Sequence, residues 1–289
     1  MTPRVYGMLL TGVGVLALSP DSVLIRLLDA DVPTTLFWRG LAMAGGLFAF
    51  LLWRDRRRPA ALASALMHRN GWGLGLLFAL SNILFVSAIK FASVSDTLGA
   101  LATASIFAAV FSVLFLGERA PPRTWIAAGV IVLGLMMIAF GGAGSLFGRA
   151  LGIATAAVFG ATFVFMRAIG EGDTLPGLAL GGLFIVLATA LPAQLTDLST
   201  QSYAATAGLA VILPVAFGLI GRGPRYLPAP EVSLLMLLET VFGTLWAWLV
   251  LAEAPTGTTL AAIAVILATL AVFYWREGRV NRQAAAELP

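Results

Sequence analysis

The chain has 289 residues, of which 60% are hydrophobic and only 11% charged, whereas a soluble domain carries roughly 25% charged residues. With no cysteine and one histidine it cannot build a disulfide framework, a thiolate metal site or a thiol nucleophile. A mean hydropathy of +0.95 and long apolar runs define instead an all-α, polytopic membrane protein.

Ten segments have the roughly 20 apolar residues that a helix needs to cross the hydrocarbon. They are predicted at 5–28, 33–53, 72–89, 95–116, 123–140, 150–168, 175–195, 203–220, 229–251 and 257–275. Pro33 and Pro176 open helices, where a missing amide hydrogen costs nothing. Arg54 to Pro59, Pro121–Pro122 and Gly221 to Pro224 close them. The connections are too short for a soluble domain. The runs lack the period-two alternation of a β-barrel.

Ten spans put both termini on one side, and the arginines say which. With cytoplasmic termini, the inner side holds Arg4, Arg54, Arg56, Arg57, Arg58, Arg69, Arg119, Arg123, Arg167, Arg222, Arg225, Arg276, Arg279 and Arg282. The outer side holds Arg26, Lys90 and Arg149, and Arg39 lies inside a helix. This asymmetry predicts cytoplasmic termini. It also excludes nucleic acid as a partner, because no domain gathers the basic residues into one groove. Tyr6, Trp53, Trp72, Trp125, Tyr226 and Trp275 fall at the inner helix ends as interfacial anchors. The run Arg54 to Arg58 is an orientation signal and a contact for anionic membrane lipids.

Sliding the sequence on itself by 135 positions aligns Lys90-Phe91 with Arg225-Tyr226, Asp96 with Glu231, Phe107 with Phe242, Phe111 with Trp246 and Glu118 with Glu253. Pro33 and Gly7 match Pro176 and Gly152 at slightly larger offsets. Five spans per copy is an odd number, so the second copy enters the membrane from the opposite side. Such an inverted repeat suits alternating access, because a conformation open to one side has a near-equal counterpart open to the other. The expected organisation is a first repeat at 1–141, a second at 149–275 and a tail at 276–289.

The unit Lys90-Phe91-Ala92-Ser93, followed by a helix ending Phe115-Leu116-Gly117-Glu118-Arg119 and another apolar helix, resembles the EamA repeat of the drug/metabolite transporter superfamily. Phe37-Trp38-Arg39 is similar to the same repeat. Within that superfamily the chain looks most like the YddG-type aromatic amino-acid exporters. The resemblance implies a central cavity built from helices 1, 3, 4, 6, 8 and 9. In the second half the Gly-Glu signature becomes Ala252-Glu253, and Gly182 occupies the position of Arg39.

Ionisable groups inside the bilayer are expensive and mark function by default. Glu239 is predicted about 15 Å deep, at 1.5 Å per residue, as a binder of substrate ammonium, a proton carrier or a structural hydrogen-bonding residue. Asp21 and Arg39 lie at equal depth on consecutive antiparallel helices, so an ion pair, structural or gating, is expected. Ser19-Pro20 predicts a helix irregularity beside Asp21. Ser81 and Asn82 lie between Phe78 and Phe85; the asparagine either recognises a carboxylate or bridges helices. Thr103 belongs to a small, polar stretch of helix four. Phe107, Phe111 and Phe115, with Phe242 and Trp246, form either an apolar wall around a substrate side chain or ordinary packing.

The expected function is therefore a secondary transporter that exports amino acids, aromatic and other neutral ones, with a drug or other metabolite as the alternative cargo. No cofactor or metal is expected, and the chain is compatible with a monomer. An intramembrane enzyme fits poorly: the one histidine, His68, sits in an arginine-rich loop, and only Asp21 is a deep aspartate.

Overall fold

The computed structural model describes residues 2–92, 94–101, 103–118, 145–170, 172–195 and 198–252, with isolated positions among 122–130 and 254–269. The fifth and tenth predicted spans and the tail lie outside the described residues, apart from those isolated positions. Among the described residues the predicted apolar runs are helical over most of their length: α1 (Pro3–Leu18), α2 (Asp21–Leu27), α3 (Val32–Arg54), α5 (Arg69–Phe91), α6 (Val94–Leu101) and α7 (Ala104–Phe111), with α4 (Pro59–Met67) between α3 and α5. After residue 145 come α8 (Leu146–Ile169), α9 (Leu175–Thr189), α10 (Thr200–Ile220), α11 (Ala229–Leu235) and α12 (Leu237–Leu251). Taken across their breaks, these helices give seven spans long and apolar enough to cross a membrane, together with the shorter α9. In lipid each backbone polar group must bond within its own segment, and this fixes helix as the outcome.

Local chemistry sets the ends. Asp31 Oδ1 accepts from the Thr34 amide at 3.0 Å, capping α3 just before Pro33. Asp173 Oδ1 accepts from the Leu175 amide at 3.1 Å, ahead of Pro176 in the second half. The predicted seventh span is cut short at Thr189, three residues before Pro192, whose ring disfavours helix in the residue before it. Segment 54–71, expected as loop, contains α4: Pro59 stands at its first position and alanines follow. His68 caps α5, its Nδ1 accepting from the Asn70 amide at 3.2 Å.

The two copies pack reciprocally. In each, the second span of one half crosses the second span of the other, α3 against α9, and α5 faces α8 as α10 faces α1. Glycine makes these crossings close. A Cβ on Gly182 would lie 2.8 Å from the Ala44 nitrogen, and one on Gly40 would lie 3.0 Å from the Gly182 carbonyl oxygen. Gly75, Gly177 and Gly181 do the same between α5 and α9.

Contacts sort the helix ends into two faces. One face gathers Arg4 with Glu231, Arg54 with Asp173, and Arg167 with Glu118 and the Pro224 carbonyl. The other gathers Arg26 on the Ala92 carbonyl, Lys90 on the Leu28 and Ala30 carbonyls, and Ser145 on the Phe91 carbonyl. The arginine-rich loops thus share the first face.

Candidate functional site

Three spans break within the apolar slab, and the breaks meet. Between α1 and α2, Pro20 brings no amide hydrogen, so the Leu16 carbonyl loses its usual donor. The Ser19 hydroxyl replaces it, donating to Leu16 O at 2.8 Å. The Trp246 indole N–H donates to Ser19 Oγ at 3.1 Å and ties α12 to this break. A Cβ on Gly243 would lie 2.8 Å from Leu98 Cδ1 and 3.3 Å from Ser22 Oγ; glycine there lets α12 reach both α2 and α6. Thr240 Oγ1 donates to Leu98 O at 3.2 Å.

The other two breaks are repeat mates. The fourth span is interrupted between α6 and α7, where the Thr103 hydroxyl donates to Ala100 O at 2.7 Å. The ninth is interrupted at Met236, which aligns with Leu101 at the 135-residue offset. Interrupted helices in corresponding positions of two inverted halves place half-helix ends at mid-membrane, where transporters bind their cargo.

Two carboxylates lie at such ends. Asp21 opens α2, and Glu239 lies in the first turn of α12, where the positive end of the helix dipole favours its negative charge. Glu239 is 2% exposed. No described residue hydrogen-bonds its carboxyl, while the charges of Asp21 and Arg39 act on it.

Arg39 enters from α3 and holds the cluster together. Nη1 donates to Asp21 Oδ1 in a buried ion pair, Nη2 donates to Asn82 Oδ1 at 3.0 Å, and the guanidinium carbon lies 5.9 Å from the centre of the Phe85 ring. Asn82 Nδ2 donates to the Phe78 carbonyl at 2.8 Å, which turns Oδ1 toward Arg39. The Asn82 amide is therefore engaged at both ends, and it acts on the arginine. Ser81 Oγ donates to the same Phe78 carbonyl at 2.8 Å.

The cluster carries more hydrogen-bonding capacity than it uses. Asp21 Oδ2, Arg39 Nε, Ser22 Oγ and Thr244 Oγ1 are buried without a partner among the described residues. Buried polar atoms are rarely left so. Ser22 and Thr244 did not figure among the sequence candidates. For Thr244 the signal was the stripe of small and polar residues Thr240, Gly243, Thr244 and Ala247, which lies on one helical face.

The aromatic candidates separate into two groups. Phe78 and Phe85 are buried, and Phe78 meets Phe217 edge-on at 4.8 Å. Phe107 packs over Gly160 of α8 and begins a ladder through Phe111 to Phe115 with ring centres 6.1 and 6.0 Å apart. Phe115 is 75% exposed, so this ladder leads out to the lipid-facing surface. Phe242 is half-buried and Trp246 exposed. The structure thus joins Asp21, Arg39, Asn82, Phe85 and Glu239 into one site supported by Phe78 and Ser81. Thr103 stands at a neighbouring break, and Phe107, Phe242 and Trp246 lie toward the periphery.

The arginine-rich face beneath the site is closed by ion pairs. Arg4 Nη2 lies 2.6 Å from Glu231 Oε1, joining α1 to α11, and Tyr6 meets Tyr226 edge-on beside it at 5.3 Å. Arg54 Nη2 lies 2.6 Å from Asp173 and 2.6 Å from Asp55. The hydrogen bond from Arg54 holds the Asp55 carboxyl below the usual carboxylate range.

Inverted repeats meeting at broken helices, with a charged cluster between them, define a multi-pass membrane transporter. The EamA-like transporter family matches residues 5–140 and 146–275, and the chain belongs to that family. The chain is 24% identical, over 94% of its length and 97% of theirs, to the "Pseudopaline exporter CntI" proteins of Pseudomonas aeruginosa strains UCBPP-PA14 and PAO1. A solved crystal structure shares the fold at a TM-score of 0.75 and 20% identity, over 96% of this chain and 99% of that one.

Proposed function

We propose that this transporter exports amino acids, aromatic and other neutral ones, across a bacterial inner membrane by alternating access, with ten spans and both termini cytoplasmic. The observation that carries the reading is the buried set Asp21, Arg39 and Glu239, two carboxylates sharing one guanidinium. An amino acid brings one carboxylate and one ammonium. Its ammonium finds Glu239, which has no described hydrogen-bond partner. Its carboxylate takes the place of Asp21 on Arg39, whose approach Asn82 and Phe85 fix. Ser22 and Thr244 offer hydroxyls to the remaining lone pairs and protons.

Export of a drug or other metabolite is a second reading, favoured by the similarity to pseudopaline exporters along nearly the whole chain. One experiment distinguishes the two. Purified protein in liposomes is given labelled phenylalanine, leucine or alanine, with and without a pH gradient, beside Glu239→Gln. Saturable uptake by the wild type and its loss in the variant support the amino-acid reading. No movement of any amino acid sinks it and leaves the drug or other metabolite.

A further inference from the structure

A second feature lies on the arginine-rich side, away from the charged cluster. A furrow of about 300 Å³ runs between α3, the start of α9 and the last two turns of α10. Its walls are Leu47, Phe50, Leu175, Val215 and Leu219, and Arg222 closes one end. Two residues make the space. Pro214 seats α10 tightly on α3 at Gly46, where a Cβ would lie 2.2 Å from Pro214 Cγ. One turn on, Gly218 leaves the wall open, since a Cβ there would meet only Leu175 Cδ2, at 3.9 Å. Val215 is 53% and Phe50 38% exposed, so the furrow opens sideways from the helix bundle.

Arg222 differs from its neighbours. Arg54, Arg167 and Arg225 each lie within 4 Å of a carboxylate, whereas Arg222 has no acidic partner among the described residues and is half-buried at the apolar mouth. From Pro214 to Arg222 is eight residues, or about 12 Å along the helix, close to the ~15 Å hydrocarbon depth of one leaflet. The Phe50 ring continues the furrow toward Trp53 at 6.1 Å, and Trp53 lines a cleft walled by Arg54, Arg56, Arg57 and Arg58.

We infer that this furrow is a binding site for an anionic phospholipid of the leaflet on the arginine-rich face, with one acyl chain along Phe50, Val215 and Leu219 and the phosphate on Arg222. A neutral lipid satisfies the walls but leaves the arginine with a net charge at the apolar boundary. A soluble anion satisfies the arginine but not the walls.

The test uses full-length protein in a mild detergent, with phosphatidylglycerol, phosphatidylcholine or glycerol phosphate added, read by native mass spectrometry and thermal unfolding. The wild type is expected to retain phosphatidylglycerol about fivefold over phosphatidylcholine, the preference that one arginine near an anionic surface confers. Arg222→Gln abolishes the preference and Arg222→Lys keeps it. Gly218→Leu fills the furrow and lowers retention of both lipids. Equal retention of the two lipids by the wild type, an unchanged preference in Arg222→Gln, or an equal stabilisation by glycerol phosphate overturns the assignment. A change of oligomeric state in Gly218→Leu without loss of lipid also overturns it and gives the furrow to a second copy of the chain. If Gly218→Leu does not fold, the two Arg222 variants decide.

Discussion

Arg39 is the only cation among the buried charged side chains described, and replacing it by methionine tests the reading of the site most severely. The variant keeps most of the side-chain volume but leaves Asp21 and Glu239 as two buried carboxylates with no counter-charge. Removing one partner of a buried ion pair costs about 3–5 kcal/mol. The Asn82 Oδ1 atom also loses its donor, a further cost of about 1–3 kcal/mol. Asp21→Asn is milder, because the amide oxygen still accepts from Arg39 and Glu239 still balances its charge; about 1–3 kcal/mol is expected. The difference between the two variants is therefore at least ~1 kcal/mol, or about fivefold in the folding equilibrium. Unfolding in one detergent, followed by tryptophan fluorescence, measures it, and the double variant Asp21→Asn/Arg39→Met should cost less than the sum of its parts. Equal costs for the two single variants, or additivity in the double, would refute the shared-arginine account.

Ala252 adopts a left-handed conformation with φ 56°, where its repeat mate Gly117 has φ 66°; Ala252→Gly should stabilise the protein by about 1 kcal/mol, seen as a higher unfolding midpoint, and Gly117→Ala should lower it. Gly46→Ala forces a Cβ to 2.2 Å from Pro214 and should cost about 1–3 kcal/mol, whereas Gly45→Ala, with nothing within 4 Å, should gain about 0.5–1 kcal/mol in the same assay. Trp246→Phe removes the hydrogen bond to Ser19 and should cost about 1 kcal/mol; an unchanged midpoint would show that the break at Pro20 does not depend on it. Glu231→Gln weakens the closure that Arg4 makes on the arginine-rich face, and labelling of a cysteine introduced at Ser22, in the otherwise cysteine-free chain, should become faster from that side.

What the sequence disclosed follows from which forces are local. The eight predicted spans that fall on described residues are helices because hydropathy and backbone hydrogen bonding act over one segment at a time. The break at Ser19-Pro20 was visible because proline removes a donor at a known place. The breaks at Thr103 and Met236 carry no proline or glycine, and only their equivalence under the repeat was readable. Helix α4 was hidden because its arginine neighbours marked it as loop, although Pro59 and the alanines after it favour helix. Depth along a helix placed Asp21 and Arg39 level with one another. It did not reveal that Asn82 holds Arg39, nor that Ser22 lies against Gly243, because those facts depend on rotation of one helix against another.

The two halves share a backbone plan and differ in charge, and the difference bears on how the molecule works. The repeat conserves the crossings, two of the three helix breaks and the left-handed helix ends at 117 and 252. These are the features that let a conformation open to one face have a near-equal partner open to the other. It does not conserve these two charges of the buried cluster: Arg39 is matched by Gly182, and Glu239 by Ala104. A symmetric site would bind a guest equally from either half and in two orientations. Here the guanidinium belongs to the first half and the unpartnered carboxylate to the second, so a guest with a carboxylate and an ammonium has one orientation and bridges the halves while it is bound. In the proposed amino-acid exporter, the backbone symmetry makes both access states available, and the asymmetric charges select the guest that holds the two halves together as they exchange.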